Sequence, residues 1–217
     1  MGKIKVGVGA ILLILAVIMT ERSDVFVLYG LCAILHEIGH LIAAKRRNIG
    51  IKEIRLDVSG ARICTEEGAG SYADEFILSA SGPFVNILVI AAGTAVFTCR
   101  KMSIESIVRA LDDFAAARPE SYDGALAFFM LCAVLQGGLN LLPIKTFDGG
   151  RMLYCLCAVT VGQKAAECVI RVSGTMCMLI IWTAALYLML KLDVGLSIYT
   201  FAACIFLGTL RDRELIE

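Results

Sequence analysis

Long apolar runs separated by short polar segments dominate the pattern of this chain. A helix that crosses a bilayer needs about 20 mostly apolar residues. On that rule the pattern predicts six spans, which cover residues 6–20, 25–44, 73–98, 124–142, 174–190 and 195–210. A further apolar run, 152–161, is too short to cross a bilayer and predicts a separate short helix. The chain is therefore predicted to be an all-α polytopic membrane protein that forms one integral-membrane domain over residues 1–217.

Two connecting segments have patterns of their own. Polar and apolar residues alternate from Ile54 to Ser59, and the alternation breaks at Gly60. This favours a small membrane-associated β-hairpin over residues 51–65, with a loop of chance alternation as the alternative. In residues 104–115, apolar positions recur at helical spacing opposite a charged face, which predicts an amphipathic helix on the outer membrane interface.

Composition and charge agree with a membrane location. The sequence is 59% hydrophobic and 18% charged, which is more apolar surface than a soluble domain of 217 residues can bury. Lysine plus arginine (20) equals aspartate plus glutamate (20), so the net charge indicates no nucleic-acid partner. With six spans, most lysines and arginines fall on the side of the two termini, which predicts that both are cytoplasmic. No small-residue cleavage site follows the run 6–20, so we expect a retained span rather than a signal peptide.

The second predicted span contains the only two histidines of the protein, His36 and His40, with Glu37 beside the first. Residues four apart on a helix lie one turn apart on the same face, so both imidazoles can reach one metal ion. Glu37 can then take a proton from an activated water and deliver it to a leaving amine. This is the HExxH pattern of metalloproteases. The alternative, two core histidines and a lone glutamate, buries three polar residues in a bilayer without any chemistry that needs them.

A catalytic zinc site has three protein ligands and one open position, so a further ligand has to come from elsewhere in the chain. The best candidate is Asp148, which follows the fourth predicted span. Pro143 stops the helix before it, and Gly149-Gly150 allow the backbone to turn at once after it. Asp148 and His40 also lie near the same predicted end of their spans, at similar depth. In isolation, Asp-Gly would be an ordinary surface turn.

Two asparagines are candidate substrate-binding or oxyanion residues. Asn86 follows Ser81-Gly82-Pro83 in the third span, where the Gly-Pro pair lets a neighbouring helix approach closely, and Asn140 ends the fourth span. Either amide can orient a metal ligand, hold a scissile peptide or stabilise an oxyanion. Either can equally join two helices, and both interpretations stay open.

Three motifs now stand in order along the chain: His-Glu-Ile-Gly-His at 36–40, Ser-Gly-Pro-Phe-Val-Asn at 81–86, and Asn-Leu-Leu-Pro at 140–143 ahead of Asp-Gly-Gly-Arg at 148–151. Together they resemble the site-2 protease family of intramembrane zinc metalloproteases, over about residues 25–155. Many members have proline where Thr146 stands. We expect a minimal member, without an inserted PDZ-like domain or a nucleotide-binding regulatory domain, similar in core to sporulation proteases that process a membrane-tethered pro-sigma factor.

The resemblance implies one zinc ion per chain, bound by His36, His40 and Asp148, with Glu37 as general base and acid. It implies a membrane-tethered protein substrate that is cut in or next to its spanning segment and received as an added strand near the segment 51–65. We further expect a regulatory membrane partner and a role in regulated proteolysis of a transcription or sigma-factor pathway. The active site is expected in the cytoplasmic half of the cell membrane.

The alternative from another class is a non-catalytic membrane metal carrier or sensor that uses the same ligands. Other intramembrane hydrolases fit the sequence less well. The Gly-x-Ser-Gly motif of rhomboid proteases and the Gly-x-Gly-Asp motif of presenilins do not occur. A prenyl-protein endopeptidase shares the chemistry, but Asp-Gly-Gly suits its third ligand poorly.

Overall fold

A computed structural model describes residues 3–6, 23–57, 60–65, 70–116 and 122–192 of the chain. These residues are mostly helical, and their six helices are α1 (Ser23–Arg46), α2 (Tyr72–Cys99), α3 (Ile104–Ala115), α4 (Tyr122–Asn140), α5 (Asp148–Val161) and α6 (Gln163–Leu192). The predicted span 195–210 lies outside the described residues. The predicted span 6–20 also lies outside them, apart from Val6.

Four of the helices, α1, α2, α4 and α6, are long and apolar enough to cross a membrane. They correspond to the predicted spans 25–44, 73–98, 124–142 and 174–190. The ends differ by a few residues, except that α6 begins 11 residues earlier than predicted, at Gln163. The early turns of α6 carry charged residues such as Lys164 and Arg171, so the hydropathy pattern placed its start too late. Sequence hydropathy finds the apolar centre of a helix but not a polar extension beyond it.

The two shorter helices were also predicted. Helix α3 covers the predicted amphipathic segment, and its Ser103 hydroxyl caps the N-terminus by accepting a hydrogen bond from the Ser106 amide. Phe114 on its inner face is buried and packs against Phe128 of α4, with ring centroids 5.1 Å apart. Helix α5 contains the apolar run 152–161 but begins one turn earlier, at Asp148.

Three strands form a small sheet in the order β1 (Lys3–Val6), β2 (Ile51–Asp57) and β3 (Gly60–Thr65). Strand β2 runs antiparallel to β3 and parallel to β1, which was not predicted because its partner is far along the chain. Residues 58 and 59, between β2 and β3, lie outside the described residues. The hairpin as a unit, and its association with the membrane, therefore stay predictions.

The helices pack so that α1 contacts α2 and α4, α2 also contacts α4 and α5, and α5 contacts α6. Helices α1 and α2 approach closely at Gly39, where an added Cβ would lie 2.6 Å from the Ser81 carbonyl oxygen. On its other face α1 exposes Ile34, Ile38 and Ile42, as a lipid-facing surface requires. His36 and His40 are thereby turned inward, where they contact residues of α2, α4 and α5.

Candidate metal centre

The two histidines of α1 and the aspartate of α5 meet in the interior of the helix bundle. His36 and His40 are buried, with 2% and 8% of their surface exposed. Their Nε2 atoms lie 3.2 Å apart, because positions four apart on a helix face the same way. The Asp148 Oδ2 lies 3.2 Å from the His36 Nε2 and 3.3 Å from the His40 Nε2. Three metal-ligating atoms thus converge on one point.

The separations between these three atoms fit a zinc ion. Ligands at the corners of a tetrahedron, about 2.0 to 2.2 Å from the ion, lie about 3.3 to 3.6 Å from one another. The observed separations of 3.2, 3.2 and 3.3 Å are close to that edge length. The three protein atoms could therefore occupy three corners of a tetrahedral zinc site, which would leave the fourth for water or substrate.

Hydrogen bonding fixes which nitrogen of His40 can bind a metal. The His40 Nδ1 lies 2.8 Å from the Leu78 carbonyl oxygen, which can only accept a hydrogen bond, so Nδ1 carries the proton and donates it. The Ser81 hydroxyl donates to the same carbonyl at 2.5 Å. A neutral imidazole protonated at Nδ1 has a lone pair on Nε2, the nitrogen that faces His36 and Asp148. Helix α2 thus sets the orientation of a ligand on α1.

His36 is held from the same helix. The side-chain amide of Asn86, which is 1% exposed, places Nδ2 at 3.2 Å from the His36 Nδ1. The Asn86 Oδ1 has no hydrogen-bond partner among the described residues. A 180° rotation of the Asn86 side-chain amide exchanges Nδ2 and Oδ1, so that the His36 Nδ1–H donates a hydrogen bond to the Asn86 Oδ1. In this arrangement the His36 Nε2 also turns its lone pair toward Asp148.

Asp148 turns one carboxylate oxygen toward the two imidazoles. Its Oδ2 is buried, and no N–H group of the described residues points at it with hydrogen-bonding geometry. A buried carboxylate oxygen that faces two imidazole lone pairs is a set of donors that a divalent cation can bind.

Glu37 lies beside this triangle of ligand atoms. Its half-buried carboxylate is within 4.8 Å of the ligand nitrogens of both histidines. Asp148 is closer to those nitrogens, at 3.2 and 3.3 Å, so Asp148 is the better placed of the two carboxylates to bind an ion. Glu37 is then free to exchange a proton with water rather than to bind the ion.

The two asparagines lie on opposite sides of the His36 ring. Asn86 contacts Nδ1, whereas the Asn140 Nδ2 lies 3.3 Å from Nε2, the nitrogen on the metal side. An N–H donor at that position can meet a carbonyl oxygen that binds at the open corner. Both side chains also connect their helices to α1, as a packing role requires. The two amides therefore differ in position, with Asn86 at the His36 Nδ1 and Asn140 at the His36 Nε2.

Asp148 owes its place to a tight turn over residues 141–147. The sequence predicted a sharp turn after Asp148, and this is wrong. Gly149 and Gly150 lie in the first turn of α5, and neither has a positive φ. Their role is close packing, because a Cβ on Gly149 would overlap the Leu141 carbonyl and a Cβ on Gly150 the Ile144 carbonyl. The chain break that directs Asp148 inward therefore precedes it.

The structure adds residues that sequence reasoning missed. A Cβ on Gly82 would fall on the His40 Nε2 and lie 2.6 Å from the His36 Nε2, so Gly82 makes room for both imidazoles. The Ser-Gly-Pro motif was the signal, although we had assigned its glycine to helix packing. The Ser173 hydroxyl of α6 donates to the Pro143 carbonyl at 3.1 Å and so supports the turn before Asp148. No sequence pattern pointed to Ser173.

Comparison with known proteins places the fold. No family model matches the chain, and no curated protein matches its sequence. The fold is similar to the solved structure of the site-2 protease from Methanocaldococcus jannaschii, with a TM-score of 0.64 at 20% sequence identity. The likeness covers 96% of this chain and 89% of that one. At this identity it establishes the fold, and the chemistry has to come from the residues of this chain.

Proposed function

We propose that this chain is an intramembrane zinc metalloprotease that hydrolyses a peptide bond in or next to the transmembrane segment of a membrane-tethered protein. The observation that supports it most is the convergence of Asp148 with His36 and His40 at separations of 3.2 to 3.3 Å. Glu37 beside them completes the residue set of a metalloprotease. The similarity of the fold to a protein named as a site-2 protease agrees with this function.

One zinc ion per chain would be held by His36, His40 and Asp148, and it would supply Lewis-acid chemistry at the scissile carbonyl and at water. Glu37 takes the proton of the attacking water and returns it to the leaving nitrogen, since the same carboxylate can act as base and then as acid. Asn140 donates its amide N–H to the carbonyl oxygen as negative charge develops there. Asn86 holds the His36 ring in position.

The substrate has to unwind locally, because the peptide bonds of a spanning helix are closed by internal hydrogen bonds. We expect helix-breaking residues near the cleavage site and presentation of the peptide as an extended strand near β2 and β3. We place the protein in the cell membrane with both termini cytoplasmic and the site in the cytoplasmic half. A role in regulated proteolysis of a transcription or sigma-factor pathway, with a regulatory membrane partner, completes the proposal.

Two substitutions test the assignment of roles. Glu37→Gln removes the base and keeps the ligands, so we expect full zinc content and cleavage slowed by about 100-fold or more. Asp148→Asn removes a ligand, so we expect zinc affinity to fall by on the order of 100-fold or more, beyond the loss typical of residues that only support ligands. Elemental analysis gives the zinc content, and a fluorogenic transmembrane peptide in vesicles gives the cleavage rate.

The outcomes separate the protease from a metal carrier or sensor. A metal carrier would keep its metal affinity and its transport activity in Glu37→Gln. Its wild-type form would cleave no peptide. Full zinc and full activity in Asp148→Asn would show that another residue is the third ligand. Purified wild-type protein that binds no zinc at neutral pH would contradict the proposed mechanism as a whole.

A further inference from the structure

Gln136 lies one helical turn before Asn140 on α4, and both share a face of that helix with Cys132. Both neighbours face α1. Cys132 belongs to a buried cluster with Cys32, and the Asn140 Nδ2 lies 3.3 Å from the His36 Nε2. Gln136 therefore lies between these two contacts, on the side of α4 that faces the metal centre.

The side-chain oxygen of Gln136 is buried and has no hydrogen-bond partner in the part of the chain that the structure describes. Enclosing an acceptor without a donor is unfavourable, and proteins have few such atoms outside functional sites. An amide oxygen can only accept a hydrogen bond, so whatever binds it has to bring an N–H or O–H group.

An extended peptide matches the spacing of the two amides on α4. Gln136 and Asn140 are separated by about 6 Å along the helix axis. Residues two apart in an extended strand are separated by about 6.6 to 6.8 Å and point to the same side. If one peptide group of an extended substrate lies at Asn140, the peptide group two residues along the substrate therefore lies opposite Gln136. An unwound transmembrane segment also has free N–H groups that need partners in apolar surroundings.

We propose, on the basis of the protease function above, that Gln136 is a substrate-positioning residue. Its side-chain oxygen accepts a hydrogen bond from a backbone N–H of the extended substrate, two residues from the peptide bond that Asn140 contacts. The ligand class is an extended apolar peptide, recognised through its backbone and not through its side chains. A water molecule bound to the same oxygen is the competing occupant.

The test uses the full-length protein in lipid vesicles. The probe is a fluorogenic transmembrane peptide of leucine and alanine with a central Gly-Pro pair. Each backbone amide near the cleaved bond is replaced in turn by an ester, which removes one N–H and leaves the side chains unchanged. The enzyme variant is Gln136→Met, which keeps the size of the side chain and removes the acceptor.

With the wild-type protein, we expect one ester, two residues from the cleaved bond, to lower kcat/KM about five- to tenfold, the effect of one hydrogen bond. Gln136→Met should show a similar loss with the all-amide peptide and no further loss with that ester, because the two changes remove the same interaction. Zinc content should stay at the wild-type level. Ser79→Ala is the matched control, because the Ser79 hydroxyl lies on α2 and is also buried without a partner among the described residues. It should keep the wild-type response to every ester.

Two results would overturn the proposal. In the first, Gln136→Met cleaves the all-amide peptide at the wild-type rate. In the second, the ester lowers the cleavage rate of Gln136→Met as much as that of the wild-type protein, and in either case water is the occupant. Loss of zinc in both Gln136→Met and Gln136→Leu would assign Gln136 a structural role and also overturn the proposal. Failure of the wild-type protein to cleave any peptide is a different result, since it removes the protease function together with this inference.

Discussion

The two halves of the metal centre are built in different ways. His36 and His40 come from one helix, and the regular rise and rotation of α1 bring their Nε2 atoms within 3.2 Å of each other. Asp148 comes from the other side of the bundle, after a turn that is held by packing against α5 and by the Ser173 hydroxyl. The first half needs only a helix, whereas the second needs correct packing of the whole bundle.

This difference predicts how each half fails. The helical half, which consists of His36 and His40, is disrupted by substitutions that add atoms next to the imidazoles. The turn half, which consists of Asp148 and the turn before it, is disrupted by substitutions that move residues 141–147. Such substitutions need not contact the candidate metal centre. Four substitutions, ordered from the largest expected effect to the smallest, examine this contrast.

Gly82→Ala should have the largest effect. The new Cβ would contact the imidazoles of His36 and His40, which cannot move aside because Asn86 and Leu78 hold them. We expect zinc affinity to fall by on the order of 100-fold or more, as for loss of a ligand, and cleavage to stop. Gly30→Ala on α1 is the control, since its Cβ would have no atom of the described residues within 4 Å. Normal zinc content in Gly82→Ala would contradict the packing of α2 against α1.

Gly150→Ala should act on the turn. Its Cβ would overlap the Ile144 backbone, so the turn has to shift, at a cost of about 1 to 3 kcal/mol. We expect a lower melting temperature in the presence of a chelator and weaker zinc binding as Asp148 moves. A Cβ on Gly174 would lie 3.6 Å from the Pro143 carbonyl oxygen of the same turn, so Gly174→Ala should be tolerated. Equal melting temperatures of the two variants would show that the turn is not closely packed.

Asn86→Leu should weaken zinc binding by about 10- to 100-fold, the range for residues that orient a metal ligand. The reason is the loss of the hydrogen bond to the His36 Nδ1. Asn86→Asp keeps an acceptor at the same place and should restore most of the affinity in a competition titration with a chelator. If both variants lose zinc equally, Asn86 serves helix packing and not ligand orientation.

Ser173→Ala should have the smallest effect. It removes one hydrogen bond to the Pro143 carbonyl, worth about 1 kcal/mol. We expect a small fall in thermal stability and a cleavage rate within about fivefold of the wild type. Thr175→Ala removes a bond that lies only within α6 and is the control. A Ser173 variant as inactive as Gly150→Ala would show that Ser173 has a direct role at the site.

Much of the helical half could be predicted from the sequence. A single helix fixes the relation of His36, Glu37 and His40, and an apolar run of sufficient length predicts that helix. Asp148 was predicted from matched depth, a chain break and a family resemblance. In the structure its Oδ2 lies within 3.3 Å of both histidine Nε2 atoms, and the preceding helix stops before Pro143 as predicted. The turn predicted after Asp148, at Gly149-Gly150, does not occur, because both glycines lie in a helix. Glycine is compatible with a sharp turn and with close packing alike, and the sequence does not distinguish between them.

The sequence by itself determined the membrane class of this protein, the four apolar helices among the described residues, and the pairing of His36 and His40 on one face of a helix. These depend on composition and on spacing within one helix, which are local properties. Only the tertiary structure decided that Gly82 makes room for the imidazoles and that Asn86 and Asn140 lie on opposite sides of the His36 ring. It also decided that the Gln136 oxygen is buried with no donor from the described part of the chain. Each of these is a contact between different helices, and such contacts arise from packing that no local pattern in the sequence records.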